Sequence, residues 1–147
     1  MKEVNPIKRN KAFVSFSKDH HFGLLLVWKI RRDLKNTVSS IEITDYVLEF
    51  FRDNLYRHFK EEEECIFTKL PPGDDWRKRA EAEHATIYHL IELIRRNPDD
   101  KEFLNEFADL LENHIRFEER ILFNYLQERL TAEELDDILS NKYDDNS

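Results

Sequence analysis

The stretch His58-Phe59-Lys60-Glu61-Glu62-Glu63-Glu64-Cys65-Ile66-Phe67 returns in outline as His114-Ile115-Arg116-Phe117-Glu118-Glu119-Arg120-Ile121-Leu122-Phe123. Both copies run His, apolar residue, base, then Glu at +4 and +5 and Phe at +9, and Leu70 and Leu126 extend the match to +12. On an α-helix, residues four apart differ by only about 40° in direction, so His58 and Glu62 project from one face, as do His114 and Glu118. An imidazole nitrogen and a carboxylate oxygen one turn apart make half of a transition-metal site. Two such halves on two helices predict two metal ions, provided other helices supply the remaining ligands. A single His-x-x-x-Glu pair is ordinarily a solvated contact one helical turn apart. The repeat carries more weight because it keeps phase with the apolar residues around it. Glu63 and Glu119 fall about 100° further round and are expected to face solvent or to sit just outside the ligands.

Outward from the repeat, composition fits helices. The chain has 147 residues, the size of one domain, with 37% charged residues, 40% hydrophobic residues, two Gly and four Pro, a balance that suits long amphipathic helices better than a β-sandwich. The formal net charge of −8 argues against nucleic acid or an anionic membrane surface as partner. One cysteine, Cys65, excludes an intramolecular disulfide framework and a cysteine-built zinc or iron–sulfur site. Residues Met1 to Phe16 lack the apolar segment of a signal peptide. The most apolar run, Phe22 to Trp28, is too short to span a bilayer. The expected setting is a reducing compartment, the cytoplasm.

Periodicity and capping predict an up-down-up-down four-helix bundle followed by a short C-terminal helix, an all-α fold. Residues 1–16 read as an N-terminal arm whose basic cluster (Lys8, Arg9, Lys11) is solvated and whose aromatic end packs on the bundle. Residues 17–130 read as the bundle, and 131–147 as the short helix and tail. Helix 1 is expected over Lys18 to Lys35 with Ser17 as N-cap and Leu24, Val27, Trp28, Arg31 and Leu34 as its stripe, widened by Leu25, Leu26 and Ile30. Helix 2 is expected over Asp45 to Lys69, capped by Thr44 and ended by Pro71-Pro72-Gly73. Helix 3 covers Asp75 to Arg96, stopped by Asn97-Pro98, and helix 4 covers Lys101 to Arg129. Thr131-x-x-Glu134 is a capping box for a last helix reaching Leu139. Trp28 and the many Phe are assigned to the core.

In an antiparallel bundle the start of helix 1 lies level with the end of helix 2, and the start of helix 3 with the end of helix 4. His20 and His84 are early in their helices, while His58/Glu62 and His114/Glu118 are late. All six groups therefore fall at one depth, near one end of the bundle. Burying four imidazoles and two carboxylates together is costly without partners. Two divalent cations would satisfy them, with the two repeated Glu placed to bridge.

Asp19-His20-His21, His58-x-x-x-Glu62, His84 and His114-x-x-x-Glu118, one element per helix, resemble the hemerythrin-like, His-His-Glu cation-binding domains over about Phe16 to Leu126. The resemblance implies a four-helix bundle holding a non-haem di-iron centre, with His20 and His58 on one iron, His84 and His114 on the other, and Glu62 and Glu118 bridging. Two His and two shared carboxylates per iron leave room for an oxo or hydroxo bridge and an exogenous ligand. Oxygen-carrying members have His-x-x-x-His on the third helix, where this chain has Tyr88 one turn after His84. They also have His-x-x-x-x-Asp on the last helix, where this chain has Glu118 at +4. The chain thus looks closer to the four-His, two-Glu branch, linked with iron sensing, nitric-oxide or peroxide chemistry, and repair.

The functional expectation is a di-iron protein that binds or reacts with O2, NO or peroxide. The alternative is a non-enzymatic iron- or oxygen-sensing or interaction bundle whose metal site is regulatory or structural. His21 competes with His20 for the first ligand position, and His20 is favoured because the family places that His directly after an acidic residue. His89 is about 140° from His84 and misses the site. Cys65 reads as a core thiol, and Tyr88 as packed near the second iron rather than bound to it. Glu81-x-x-His84 has ferritin-type spacing but is not repeated, and an Asp-His-His phosphoesterase would need strands and Asp motifs that are missing here.

Overall fold

The computed structural model describes residues 8–144, with side chains to residue 141. Within them, four long helices and one short one account for nearly the whole chain and no strand occurs. Residues 1–7 of the expected arm, Pro6 among them, and 145–147 of the tail lie outside the described residues. Helix α1 is Val14–Lys35, preceded by a 3-10 turn, Lys11–Phe13, capped by the Asn10 side chain. Helix α2 runs through residues 40–69. Helix α3 is Asp75–Arg96, α4 spans residues 101–129, and α5 is Ala132–Asp144. Asp74 caps α3 by accepting from the Arg77 N–H, and Asp100 caps α4 by accepting from Glu102 and Phe103. The box at α5 closes reciprocally: Thr131 Oγ1 accepts from the Glu134 N–H at 3.1 Å, and Glu134 accepts from the Thr131 N–H at 3.0 Å. No helix among the described residues is long and apolar enough to cross a membrane.

Two helix starts differ from the sequence reading. Helix α1 begins at Val14 rather than Lys18, so Ser17 is inside the helix and does not cap it. The reason is that Ala12, Phe13 and Phe16 are almost wholly buried: the aromatic end of the arm is the first turn of the bundle. Helix α2 begins at Ser40 rather than Asp45. Thr44 is not its cap but is buried, and its Oγ1 donates to the Pro98 carbonyl at 2.7 Å.

The inward stripe of α1 also differs. Phe16, His20, Gly23, Val27 and Ile30 are buried, whereas Leu25 and Trp28 are 49% and 59% exposed. Trp28 is thus a surface residue, stacked under the Arg32 guanidinium at 4.8 Å. The Leu24-Leu25-Leu26 run hides this phase, because the true stripe passes through a histidine and a glycine. A Cβ on Gly23 would stand 2.8 Å from Ile115 Cδ1, so glycine here lets α1 approach α4 closely.

Helices α2 and α4 are not α-helical throughout. An i→i+5 turn occupies Glu62–Ile66, with the Phe67 N–H donating to the Glu62 carbonyl. Its repeat partner occupies Glu118–Leu122, with Phe123 donating to Glu118; a third lies at Phe51–Leu55. Such turns are frequent at functional sites, and the wider turn rotates the face presented by the next residues of the helix. Two hydrophobic clusters flank them. One is built from Val27, Ile30, Val47, Ile91, Leu104 and Leu111 among others. The second joins Phe13 and Phe16 to Phe67, Phe123, Leu126 and Ile138. The repeat therefore lies between two cores, near one end of the four long helices but roofed by the arm and α5.

Candidate metal centre

All six expected residues are brought together between those cores. His20, His58, His84 and His114 are 1–4% exposed, and Glu62 and Glu118 are fully buried. His21 and His89 are exposed, so His20 is the histidine of that pair which faces inward. Potential ligand atoms of His20, His58, Glu62 and Glu118 lie within 4.8 Å of one another, and so do those of Glu62, His84, His114 and Glu118. The two clusters share both glutamates and divide the imidazoles as His20/His58 and His84/His114.

The inner atoms are the Nε2 nitrogens. His20 Nε2 is 2.8 Å from Glu118 Oε1 and 3.8 Å from Glu62 Oε2. His58 and His84 Nε2 are 3.3 and 3.1 Å from Glu62 Oε1. His114 Nε2 is 3.3 Å from Glu118 Oε2 and 3.1 Å from His84 Nε2. Three of these buried atoms, His58 Nε2, Glu62 Oε2 and Glu118 Oε2, have no hydrogen-bond partner. Orphaned buried polar atoms are costly, and a cation held by each cluster would satisfy them.

The opposite nitrogens are equally organised. Nδ1 of His20 donates to Glu119 at 2.7 Å, that of His58 to Asp19 at 3.1 Å, that of His84 to Glu63 at 2.7 Å, and that of His114 to Glu83 at 2.7 Å. A hydrogen held on Nδ1 leaves the Nε2 lone pair of a neutral imidazole aimed inward. Glu63 and Glu119 therefore sit just outside the inner groups rather than in open solvent. The Glu-Glu doublet grips both nitrogens of one ring: Glu62 and Glu63 hold His84, and Glu118 and Glu119 hold His20. Arg9, expected in a solvated cluster, instead reaches this layer. Its guanidinium donates to the Glu119 carbonyl at 2.7 Å and lies 3.5 Å from the Glu119 carboxylate. Glu83 does not stand out in the sequence, although Glu83-His84 parallels Asp19-His20 and is the signal that could flag it. Cys65 is buried. Tyr88 donates to Glu63 at 2.9 Å.

Electrostatics follow from this crowding. Burial alone would depress the His20 imidazole, but hydrogen bonds to Glu118 and Glu119 and the nearby Glu62 carboxylate outweigh it and raise its pKa well above the usual value. Burial likewise opposes the rise at His114, yet the Glu118 carboxylate pushes it up to about 10. His58 and His84 are raised for similar reasons. Burial opposes ionisation of Glu62, while His58 and His20 hold its carboxyl well below the usual range. The cluster is thus acidic enough to demand positive charge, supplied by protons or by metal. A mixed set of imidazoles and carboxylates suits iron, manganese or zinc, and each of two ions would meet four groups, two of them shared.

A helical bundle whose buried centre is built from His and Glu in two overlapping clusters defines a class of cation-binding protein. The model of the hemerythrin HHE cation-binding domain matches residues 26–126, and the chain belongs to that family. The match contains His58, Glu62, His84, His114 and Glu118, while His20 lies before its start. No curated protein and no solved structure matches the chain.

Proposed function

We propose that the chain is a hemerythrin-like metal-binding protein whose two clusters hold a non-haem di-iron centre that binds or reacts with O2, NO or peroxide. The ligands are His20 and His58 for one ion, His84 and His114 for the other, and Glu62 and Glu118 between them. The observation that carries this reading is the pair of four-group clusters sharing two buried glutamates. Iron, when bound, supplies redox chemistry and an open coordination position for a small ligand. The chain's own residues present the imidazoles through Nε2, exclude bulk water, and restrict access. A cavity of about 30 Å³ between α1 and α2, bounded by Asp19, Phe22, Phe50, Asn54, Leu55 and His58, lies on the outer side of the first cluster and has room for a guest of about the size of water. The net charge of −8 disfavours nucleic acid or an anionic membrane as partner, and the lone buried Cys65 suits the cytoplasm.

Anaerobic iron loading followed by elemental analysis should give about two iron per chain, with an ultraviolet-visible spectrum that changes on exposure to O2 or NO. A stoichiometry near zero would remove the assignment, and one ion per chain would halve it.

A further inference from the structure

The four outer carboxylates are arranged in a cycle. Asp19 on α1 holds His58 on α2, Glu63 on α2 holds His84 on α3, Glu83 on α3 holds His114 on α4, and Glu119 on α4 holds His20 on α1. Every helix gives a carboxylate to the next and receives one from the last, so four bonds close a ring around the bundle. We propose that Asp19, Glu63, Glu83 and Glu119 are positioning residues of the metal centre, which fix all four imidazoles with Nε2 inward and bias the bound ions toward their higher charge state. This rests on the reading of the six inner groups as metal ligands.

Three observations carry it. The ring is complete, with no imidazole of the centre left to a neutral acceptor. It follows the internal repeat: the acid sits directly before His20 and His84 and directly after Glu62 and Glu118. Finally, the four outer side chains are each 25–28% exposed, against 0–4% for the inner six. Carboxylates with that access to water remain ionised without the penalty of a buried charge. Cations and hydroxyls hold their outer edges. Glu119 accepts from Ser17 at 2.7 Å and faces Arg9 at 3.5 Å. Glu63 accepts from Tyr88 and faces Lys60 at 3.5 Å. Glu83 is 3.0 Å from Arg79. A carboxylate behind a ligating imidazole raises its basicity and fixes its orientation, and losing one typically costs about 10- to 100-fold in metal affinity.

The test uses the full chain with Asp19→Asn, Glu63→Gln, Glu83→Gln and Glu119→Gln, each near-isosteric and uncharged, and Glu64→Gln at an exposed neighbour as control. Affinity for Co2+, read by chelator competition, should fall about 10- to 100-fold at each ring position and stay at the wild-type value in Glu64→Gln. The reduction potential of the iron-loaded protein should rise, by about 59 mV for each tenfold by which the oxidised form loses more affinity than the reduced form. Glu83→Asp keeps the charge and should hold the potential close to wild type even where affinity drops. Ring variants that bind Co2+ like wild type overturn the proposal. So does a loss of affinity with no change in potential, or a Glu83→Asp potential that moves as far as that of Glu83→Gln. A wild-type chain that takes up no metal removes the underlying ligand assignment as well; a wild-type chain that loads, with ring variants that load equally, removes the ring alone.

Discussion

The two halves of the centre share one plan with different neighbours. In the first, His20 stacks on Phe123 at 5.5 Å, and Gly23 lets Ile115 approach. In the second, His84 lies 5.1 Å from Phe67, the repeat counterpart of Phe123, but tilted. There Phe59, the counterpart of Ile115, stacks on His84 at 3.8 Å, and Ile87 occupies the position equivalent to Gly23. The packing differs between halves: glycine faces isoleucine in one, while isoleucine and phenylalanine stand at those two places in the other. The repeat thus keeps its ligand residues while the side chains packed around them differ in size from one half to the other.

The largest expected effect breaks what the halves share. Glu62 belongs to both clusters, whereas His58 belongs to one. Glu62→Ala should abolish loading of both ions and the whole metal-dependent rise in melting temperature, on the order of 10 °C at saturating metal. His58→Ala should keep about one ion per chain and part of that rise. Without metal, Glu62→Ala should still destabilise by about 3–5 kcal/mol, because it strips a buried partner from charged imidazoles. Elemental analysis and thermal melts with and without chelator measure all of this. Equal metal loss in the two variants would mean that the clusters are not independently fillable.

Much of this is legible in the sequence, and the reasons for the rest are physical. The repeat, the capping box at Thr131 and the breaker at Pro71-Pro72-Gly73 are local signals, and each acts at its own place in the chain, whereas the caps expected at Ser17 and Thr44 fall inside longer helices. The common depth of six polar groups comes from helix order alone. The phase of α1 does not, since three consecutive leucines satisfy more than one stripe and Gly23 carries no hydrophobic signal. The arm is deceptive because its polar residues suggest solvent, whereas Arg9 finds Glu119 only after α4 is in place. The outer ring is only partly legible: the sequence leaves Glu63 and Glu119 either in solvent or just outside the ligands, and does not flag Glu83. Glu63 and Glu119 are off the ideal inward face, and wide turns beginning at Glu62 and Glu118 alter that face.

A smaller effect should come from the packing difference. Gly23→Ala brings a Cβ to 2.8 Å from the end of the Ile115 side chain. Overpacking typically costs about 1–3 kcal/mol, while alanine regains about 0.5–1 kcal/mol of helix propensity. The net expectation is a loss of about 1 kcal/mol, read by chemical denaturation. Adding Ile115→Val should recover most of it. No recovery would mean that the strain lies in the approach of α1 to α4 rather than in that side-chain contact.

The smallest effect tests a polar difference between the halves. One turn after His84 stands Tyr88; one turn after His20 stands Leu24. The Tyr88 hydroxyl donates to Glu63 at 2.9 Å, and Glu63 in turn accepts from His84 Nδ1. Tyr88 is thus one residue removed from the imidazole on its outer side, not on the Nε2 side where the ligand atoms converge. Burial and the neighbouring Glu63 carboxylate raise its pKa further above an already high value, which disfavours the phenolate that iron ligation would need. Tyr88→Phe should therefore keep the iron content and produce no loss of a phenolate-to-iron absorption band. A hydrogen bond to a charged group contributes about 1.5–3 kcal/mol when buried. This one is partly exposed and Glu63 keeps both His84 and water, so the expected destabilisation is about 1 kcal/mol or less. The mark should instead appear in the second half alone: exchange of a small ligand such as azide or NO should change there, with His20 and His58 undisturbed. Loss of iron from Tyr88→Phe would make the tyrosine a ligand and the two halves chemically unlike, a deeper asymmetry than packing alone provides.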